Sequence, residues 1–240
     1  MYWSWKVIIL KLSIKKAFTL AETLITLVII GVIAAITVPT LWADYQEKER
    51  IAKIRKMYSA LSNAMYLVNV NGGSPDLLGV RDDNMPDLTQ WFDNYIRNKL
   101  LHMKEACYNK KGCWAADGVK MMNKGNHPYN NKGVGWGHAV ISVVLTDGSF
   151  VCIDPLANGN INHYYKVKVN NPSGAGLVIT FDINGAKGPN TLGKDVFISV
   201  FTNKGYVPAY KDATKEQIEQ DCSPSGQGIS CLMKYLGKTS

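Results

Sequence analysis

Three groups of residues in this chain have types and spacings that can do chemistry. The first centres on Glu22, the one formal charge between Phe18 and Ala43. It stands at the start of an apolar run whose centre reads LITLVIIGVIAAITV, residues 24–38. A carboxylate at membrane depth costs roughly 2.5–3.5 kcal/mol on insertion scales and is normally paired. Lys15 and Lys16 precede the run, and the Ala17–Phe18 bond lies just upstream of the glutamate. Hydrolysis of that bond would give Phe18 a free α-amine, a cation at the depth needed to neutralise Glu22 of a neighbouring chain.

The second group is Asp182-Ile183-Asn184-Gly185-Ala186-Lys187-Gly188-Pro189-Asn190, with Gly193 and Asp195 following. Oxygen-bearing side chains at alternate positions around a glycine turn suit Ca²⁺, a hard cation that takes 6–8 oxygen ligands. Asp182, Asn184 and Asp195 are the candidate side-chain ligands, with Asn190 as a further one and a backbone carbonyl near Ala186. The loop lacks the closing glutamate of an EF-hand and contains Lys187. The alternative is a metal-free turn in which Asp and Asn side chains accept from backbone amides.

The third group is the five cysteines, all beyond the apolar run. Cys107 and Cys113 bracket YNKKG, and Cys222 and Cys231 bracket SPSGQGIS. A disulfide could close either loop, and the second would pin a C-terminal tail that otherwise frays. Cys152 is then left over as a buried free thiol, although sequence alone does not fix connectivity. Zinc is disfavoured, because there is no CxxC pair and His102, His127, His138 and His163 are scattered. No GxSxG, HExxH or P-loop pattern is present, so no enzymatic activity is expected.

The elements that position these groups follow from periodicity. An apolar span of ~20 residues matches the hydrocarbon thickness of a bilayer. Lys15 and Lys16 before it predict a cytoplasmic N-terminus. An ordinary secretory signal peptide, cut after Ala34-Ala35, is the competing reading; its apolar core is shorter, ~7–15 residues, and has no use for a glutamate. Pro39 is expected to bend the helix without ending it. Ile51, Ile54, Tyr58, Leu61, Met65 and Val68 then form one helical stripe, opposite a charged face that includes Glu47, Lys48, Lys53 and Arg55. Asn71-Gly72-Gly73-Ser74-Pro75 closes the helix.

A second helix is expected over residues 86–105 from Leu88, Trp91, Phe92, Tyr95, Ile96 and Leu100. Beyond Trp136 the period changes to two. Residues 139–145 and 149–153 flank Thr146-Asp147-Gly148, a strong hairpin signal. Further strands are expected at 164–169, 176–182 and 196–201. The fold class is therefore α+β: a long N-terminal helix packed on a small antiparallel sheet.

The order of basic residues, small residue, Phe-Thr-Leu-x-Glu and apolar helix resembles the N-terminus of type IV pilins and type II secretion pseudopilins. Leu24, Ile25, Val28, Ile29, Gly31, Val32, Ala34, Ala35 and Pro39 stand where family members have such residues. The resemblance implies that a membrane prepilin peptidase cuts between Ala17 and Phe18 and methylates the new amine, and that Glu22 is the assembly glutamate. Ala17 departs from the usual glycine. The DINGxxGPNxxGxD pattern and the CSPSGQGISCLMKYLGK tail resemble the loop before the last strands and the cysteine-loop tail of such proteins, some of which bind calcium near the C-terminal sheet. The helix and cysteine pair in YIRNKLLHMKEACYNKKGCW resemble a segment of small pseudopilin-like proteins more loosely.

The resemblance implies a leader at 1–17, a transmembrane and assembly helix at 18–43 and a periplasmic or extracellular head at 44–240. It implies an inner-membrane single-pass subunit that later joins a fibre. Its partners would be other pilin or pseudopilin subunits, the prepilin peptidase, the inner-membrane assembly platform and membrane lipid. Net charge is +8, and removing the four leader lysines leaves +4. Nucleic acid is therefore not an expected partner, since it would want a clustered basic face. The alternative function is a minor pilin acting as an adhesin or DNA-uptake module through Lys110, Lys111, Lys120, Lys124 and Lys132.

Overall fold

The computed structural model describes residues 19–75, 85–100, 102–127 and 129–237. Ala17 and Phe18, the rest of the leader and the loop at 76–84 lie outside the described residues. The chain divides into two compact units, one ending at Lys48 and the other beginning at Glu49. Helix α1 spans Leu20–Val70 and continues through Pro39.

In the N-terminal unit the apolar side chains of α1 are exposed, including Leu24, Val28, Ile29 and Val32. This part of the helix is long and apolar enough to cross a membrane. Its threonines suit an apolar solvent. The hydroxyls of Thr26 and Thr37 donate to the carbonyls of Glu22 and Ile33, both at 2.9 Å. Each hydroxyl is satisfied within the helix, as a group without water requires.

In the second unit α1 buries Ile54, Met57, Leu61, Ala64, Met65 and Val68. These are three and four residues apart, so they line one face. They pack on one face of a six-stranded antiparallel sheet of order β1-β4-β5-β6-β7-β8. The strands are β1 Met103–Tyr108, β4 Ile141–Leu145, β5 Phe150–Ala157, β6 Ala175–Asp182, β7 Val196–Thr202 and β8 Gly205–Pro208. The alternate residues Ile141, Val143, Val151, Ile153, Leu177, Ile179, Phe197 and Phe201 meet the helix. Helix α2, Met85–Trp91, continues as a π-turn at Phe92–Ile96 and covers the same core. The Trp91 indole donates to the Gly73 carbonyl at 2.6 Å and fixes α2 to the end of α1.

The opposite face of the sheet is also covered. Phe150, Cys152, Leu156, Val178, Ile198 and Val200 pack against Trp114, Trp136, Ile161 and Tyr165. These come from the long segment after β1, which carries the short ribbon β2 Asn130–Asn131 and β3 Gly135–Trp136, and from helix α3, Asn158–Tyr165. Helices α4, Lys215–Asp221, and α5, Cys231–Tyr235, complete the unit.

Two local expectations change. The second helix stops well before residue 105, because Met103–Tyr108 pairs with β4 from Met103↔Leu145 to Tyr108↔Ile141. His102, with φ +72°, breaks the helical path, and its carbonyl accepts from Thr146 N–H at 2.8 Å. Residues 164–169 form no strand; α3 ends at Tyr165 and Lys166 turns left-handed. The Asn162 amide takes the place of a ladder partner, accepting from Val169 N–H at 2.7 Å and donating to its carbonyl at 3.1 Å. The hairpin at 146–148 forms as expected, with the Asp147 carboxylate accepting from Ser149 N–H at 3.0 Å.

His127 lies in the second core, stacked on Trp136 with centroids 4.8 Å apart. Burial pushes its imidazole down to about 4. The neutral ring therefore supports the fold fully above its ordinary value of 6.5, and this support is lost as pH falls toward 4. Urea unfolding of the protein and of His127→Gln, followed against pH, should show the parent losing stability relative to the variant across that window, and a difference that does not change with pH would remove the assignment.

Candidate functional site

Glu22 closes a capping box at the start of α1. Thr19 is the N-cap: its hydroxyl accepts from Glu22 N–H at 3.2 Å. The Glu22 carboxylate accepts in return from the Thr19 N–H and hydroxyl, both at 2.9 Å. Two donors of the first helical turn are thereby satisfied reciprocally. The Thr-x-x-Glu spacing at 19–22 is itself a capping signal, so the cap was readable from the sequence although the chain's other features drew attention to charge alone. Within a single chain, then, the glutamate is a local cap. It must exchange these bonds for a neighbour's amine if it pairs between chains.

The structure brings Asp182, Asn184, Asn190 and Asp195 together at one end of β6 and β7. Asp182 and Asp195 are 0% and 2% exposed. Burial is the main reason Asp182 is pushed up to about 7, and the nearby Asp195 carboxylate adds to it. Burial also raises Asp195. Backbone amides partly offset this. Asp182 Oδ1 accepts from Asn184 and Gly185 N–H, both at 3.0 Å. Asp195 accepts from Asn190 N–H at 2.7 Å and Thr191 N–H at 2.6 Å. Asp195 is thus the staple of the turn, and the amide-accepting arrangement expected of a metal-free turn is present.

Two further details fit a hard cation. The Asn184 Oδ1 atom is buried with no hydrogen-bond partner. The terminal atoms of the Asn190 amide face three acceptors: the carbonyls of Gly185 at 3.0 Å and Lys187 at 3.1 Å, and Asp182 Oδ2 at 3.3 Å. With its nitrogen inward the amide donates to all three; with its oxygen inward it would join them as a candidate oxygen ligand for a hard cation. The carbonyls flank Ala186 rather than coming from it. A bound Ca²⁺ would neutralise the two buried carboxylates and would be held by Asp182, Asn190 and these carbonyls.

The loop allows no side chain at two glycines. A Cβ on Gly185, at φ +62°, would lie 1.9 Å from the Gly148 carbonyl oxygen of the β4–β5 turn. One on Gly193, at φ +79°, would lie 2.5 Å from Cys231 Sγ. Cys222 and Cys231 are joined by a disulfide, as are Cys107 and Cys113. Each closes a short loop and contributes about 2–3 kcal/mol by restricting the unfolded chain. Cys152 is a buried free thiol, which burial pushes up to about 12. Among the described residues, one cluster of three acidic or sulfur ligands lies close enough to share an ion, Glu105, Cys107 and Cys113, and the disulfide occupies both of its sulfurs. Lys110, Lys111, Lys120, Lys124 and Lys132 are all exposed.

Calcium should raise the melting temperature of the full-length protein relative to the same protein in EGTA. At about 100-fold excess over its Kd the gain is ~2.7 kcal/mol. Asp182→Asn should lose the shift, and magnesium, which demands near-octahedral geometry, should not reproduce it. Identical melting in calcium and EGTA would rule the cation out. No protein-family model, curated protein or solved structure matches this chain.

Proposed function

We propose that this protein is a structural subunit of a helical surface or secretion fibre, a pseudopilin or minor pilin of the type II secretion or type IV pilus kind. The observation that carries the reading is the order Lys15-Lys16-Ala17-Phe18-Thr19-x-x-Glu22 in front of a helix whose apolar side chains are exposed in the single chain. A helix that is apolar all round is suited to lipid or to a bundle of like helices. An acid at its start that, among the described residues, is held by its own cap is available to a cation from another chain.

In this reading the prepilin peptidase cuts between Ala17 and Phe18 and methylates the amine. The helix then rests in the inner membrane with its N-terminus cytoplasmic and the head outside. Assembly passes it from lipid into the fibre. The Phe18 amine of one subunit neutralises Glu22 of the next, so one step compensates charge and packs helices. The disulfides agree with an oxidising compartment outside the cytoplasm.

Intact-mass and N-terminal peptide measurement on protein from native membranes tests the reading. The expected chain begins at Phe18 with one added methyl on its amine. A chain beginning near Ala35, or one retaining the leader, would overturn it. Glu22→Ala should still insert and be cleaved while its incorporation into fibres falls several-fold; normal incorporation would remove the charge-pairing step.

A further inference from the structure

Away from the loop at 182–195, the second unit carries a line of aromatic rings that ends in a cleft. His138, Tyr129, Tyr164 and His163 meet edge to face in series. Their centroids are 5.1, 5.5 and 4.7 Å apart, and their planes are 88–89° to one another. Tyr129 is buried behind, whereas His138 and His163 are exposed and Tyr164 is half-exposed. Trp136 and His127 support the row from within.

The row leads into an open cleft of about 450 Å³ between the end of α3, the turn at Tyr210, α4 and the loop closed by the Cys222–Cys231 disulfide. This volume is in the range of small-ligand sites, ~300–1,000 Å³. Tyr164 and Tyr210 present ring faces or edges, and Gln220 and Gln227 are exposed primary amides at the rim. Asp221 is 8% exposed, and one of its oxygens is held by Ser230 N–H at 2.6 Å. Lys166 also lines the cleft.

Two lining residues hold uncommon backbone. Lys166 has φ +49° and Tyr210 has φ +63°. A bulky side chain in the left-handed region is strained, and such strain gathers at ligand sites. The strain is held by Tyr210 N–H donating to the Tyr165 carbonyl at 2.6 Å and Asp212 N–H to the Lys166 carbonyl at 3.2 Å. These bonds hold the backbone at Tyr210, which lines the cleft together with Tyr164.

We propose that this cleft binds a short neutral oligosaccharide, with the aromatic row extending the site for a longer chain. The chemistry selects the class. Sugar hydroxyls each donate and accept, which matches primary amides that offer both functions and a fixed carboxylate that accepts. The C–H faces of a pyranose ring are apolar and suit aromatic rings, which give rigid contact area at low entropic cost. An anion would want clustered arginines or lysines, and an aliphatic ligand would want aliphatic walls. A proline-rich peptide also docks on aromatic grooves; it has no hydroxyls for the amides and the carboxylate. The binding function is additional to the fibre-subunit reading and does not rest on it.

The test uses the full-length protein in phosphatidylcholine nanodiscs, with maltotriose, cellotriose and chitotriose as separate probes and hexaproline as the rival. Calorimetry and ligand-observed NMR should show saturable binding of at least one trisaccharide. Tyr164→Ala and Gln220→Ala should each weaken it by about tenfold or more, ~1.4 kcal/mol. Gln220 is exposed, so its variant should melt with the parent and separates binding from folding. Absence of binding by all three sugars overturns the proposal. So does sugar binding that survives both substitutions, or hexaproline binding that the two substitutions abolish while no sugar binds.

Discussion

The burial of one helical stripe against one sheet face sets the form of the second unit. Six residues of α1, from Ile54 to Val68, enter a core shared with α2 and the sheet. Each fully buried side chain of this size contributes roughly 1.5–3 kcal/mol. A sheet of six antiparallel strands built around that face has a second face to cover. Here it is covered by the segment after β1 and by α3 rather than by water, and β5, β6 and β7 are consequently buried almost throughout. The aromatic row and the cleft exist because that second layer exists.

The C-terminal tail ties three separate features to the helix. Tyr235 packs edge-on to Phe197 of β7, and the Arg50 guanidinium lies 4.9 Å above its ring. Arg50 also donates to the Tyr235 hydroxyl at 2.8 Å and to the Lys194 carbonyl at 2.7 Å. Arg55 donates to the Tyr235 carbonyl at 2.9 Å. The Cys222–Cys231 disulfide holds the tail from the other side, with Gly193 against its sulfur. Order in the loop at 182–195, the tail and the first turns of α1 in this unit therefore rises or falls together. Aliphatic burial alone would leave the tail free to slide; planar, charge-assisted contacts fix its register.

Much of this was legible in the sequence, for identifiable reasons. The stripe from Ile54 to Val68 and the strands around Asp147-Gly148 are strongly periodic, and period is the signal that tertiary structure most consistently obeys. The fold class followed from those two alone. What failed was local. Residues 97–105 carry good helix formers, but pairing with β4 outweighs a propensity worth only tenths of a kcal/mol per residue. Val167 and Val169 alternate like a strand, yet the Asn162 and Asp212 side chains bond the backbone of Val169 and Lys168. Arg50 and Tyr235 are 185 residues apart, and no local pattern announces such a pair. The acidic loop was visible as a constellation, while the unpartnered Asn184 oxygen is a property of the folded loop.

In the proposed assembly Glu22 would serve two partners in sequence. In the single chain its carboxylate takes two bonds from Thr19. A charge at membrane depth is costly to leave without an opposite charge. The cap therefore reduces the cost of the acid without cancelling it. A neighbour's α-amine supplies a full opposite charge, which a pair of neutral donors does not. The difference is largest where water is absent, since attraction between charges grows as the dielectric falls. Exchange of the cap for the amine is thus favourable in the apolar interior of a helix bundle and weak in water. An acid placed this way resists pairing until helices are already side by side, which makes charge neutralisation a consequence of correct packing rather than a substitute for it.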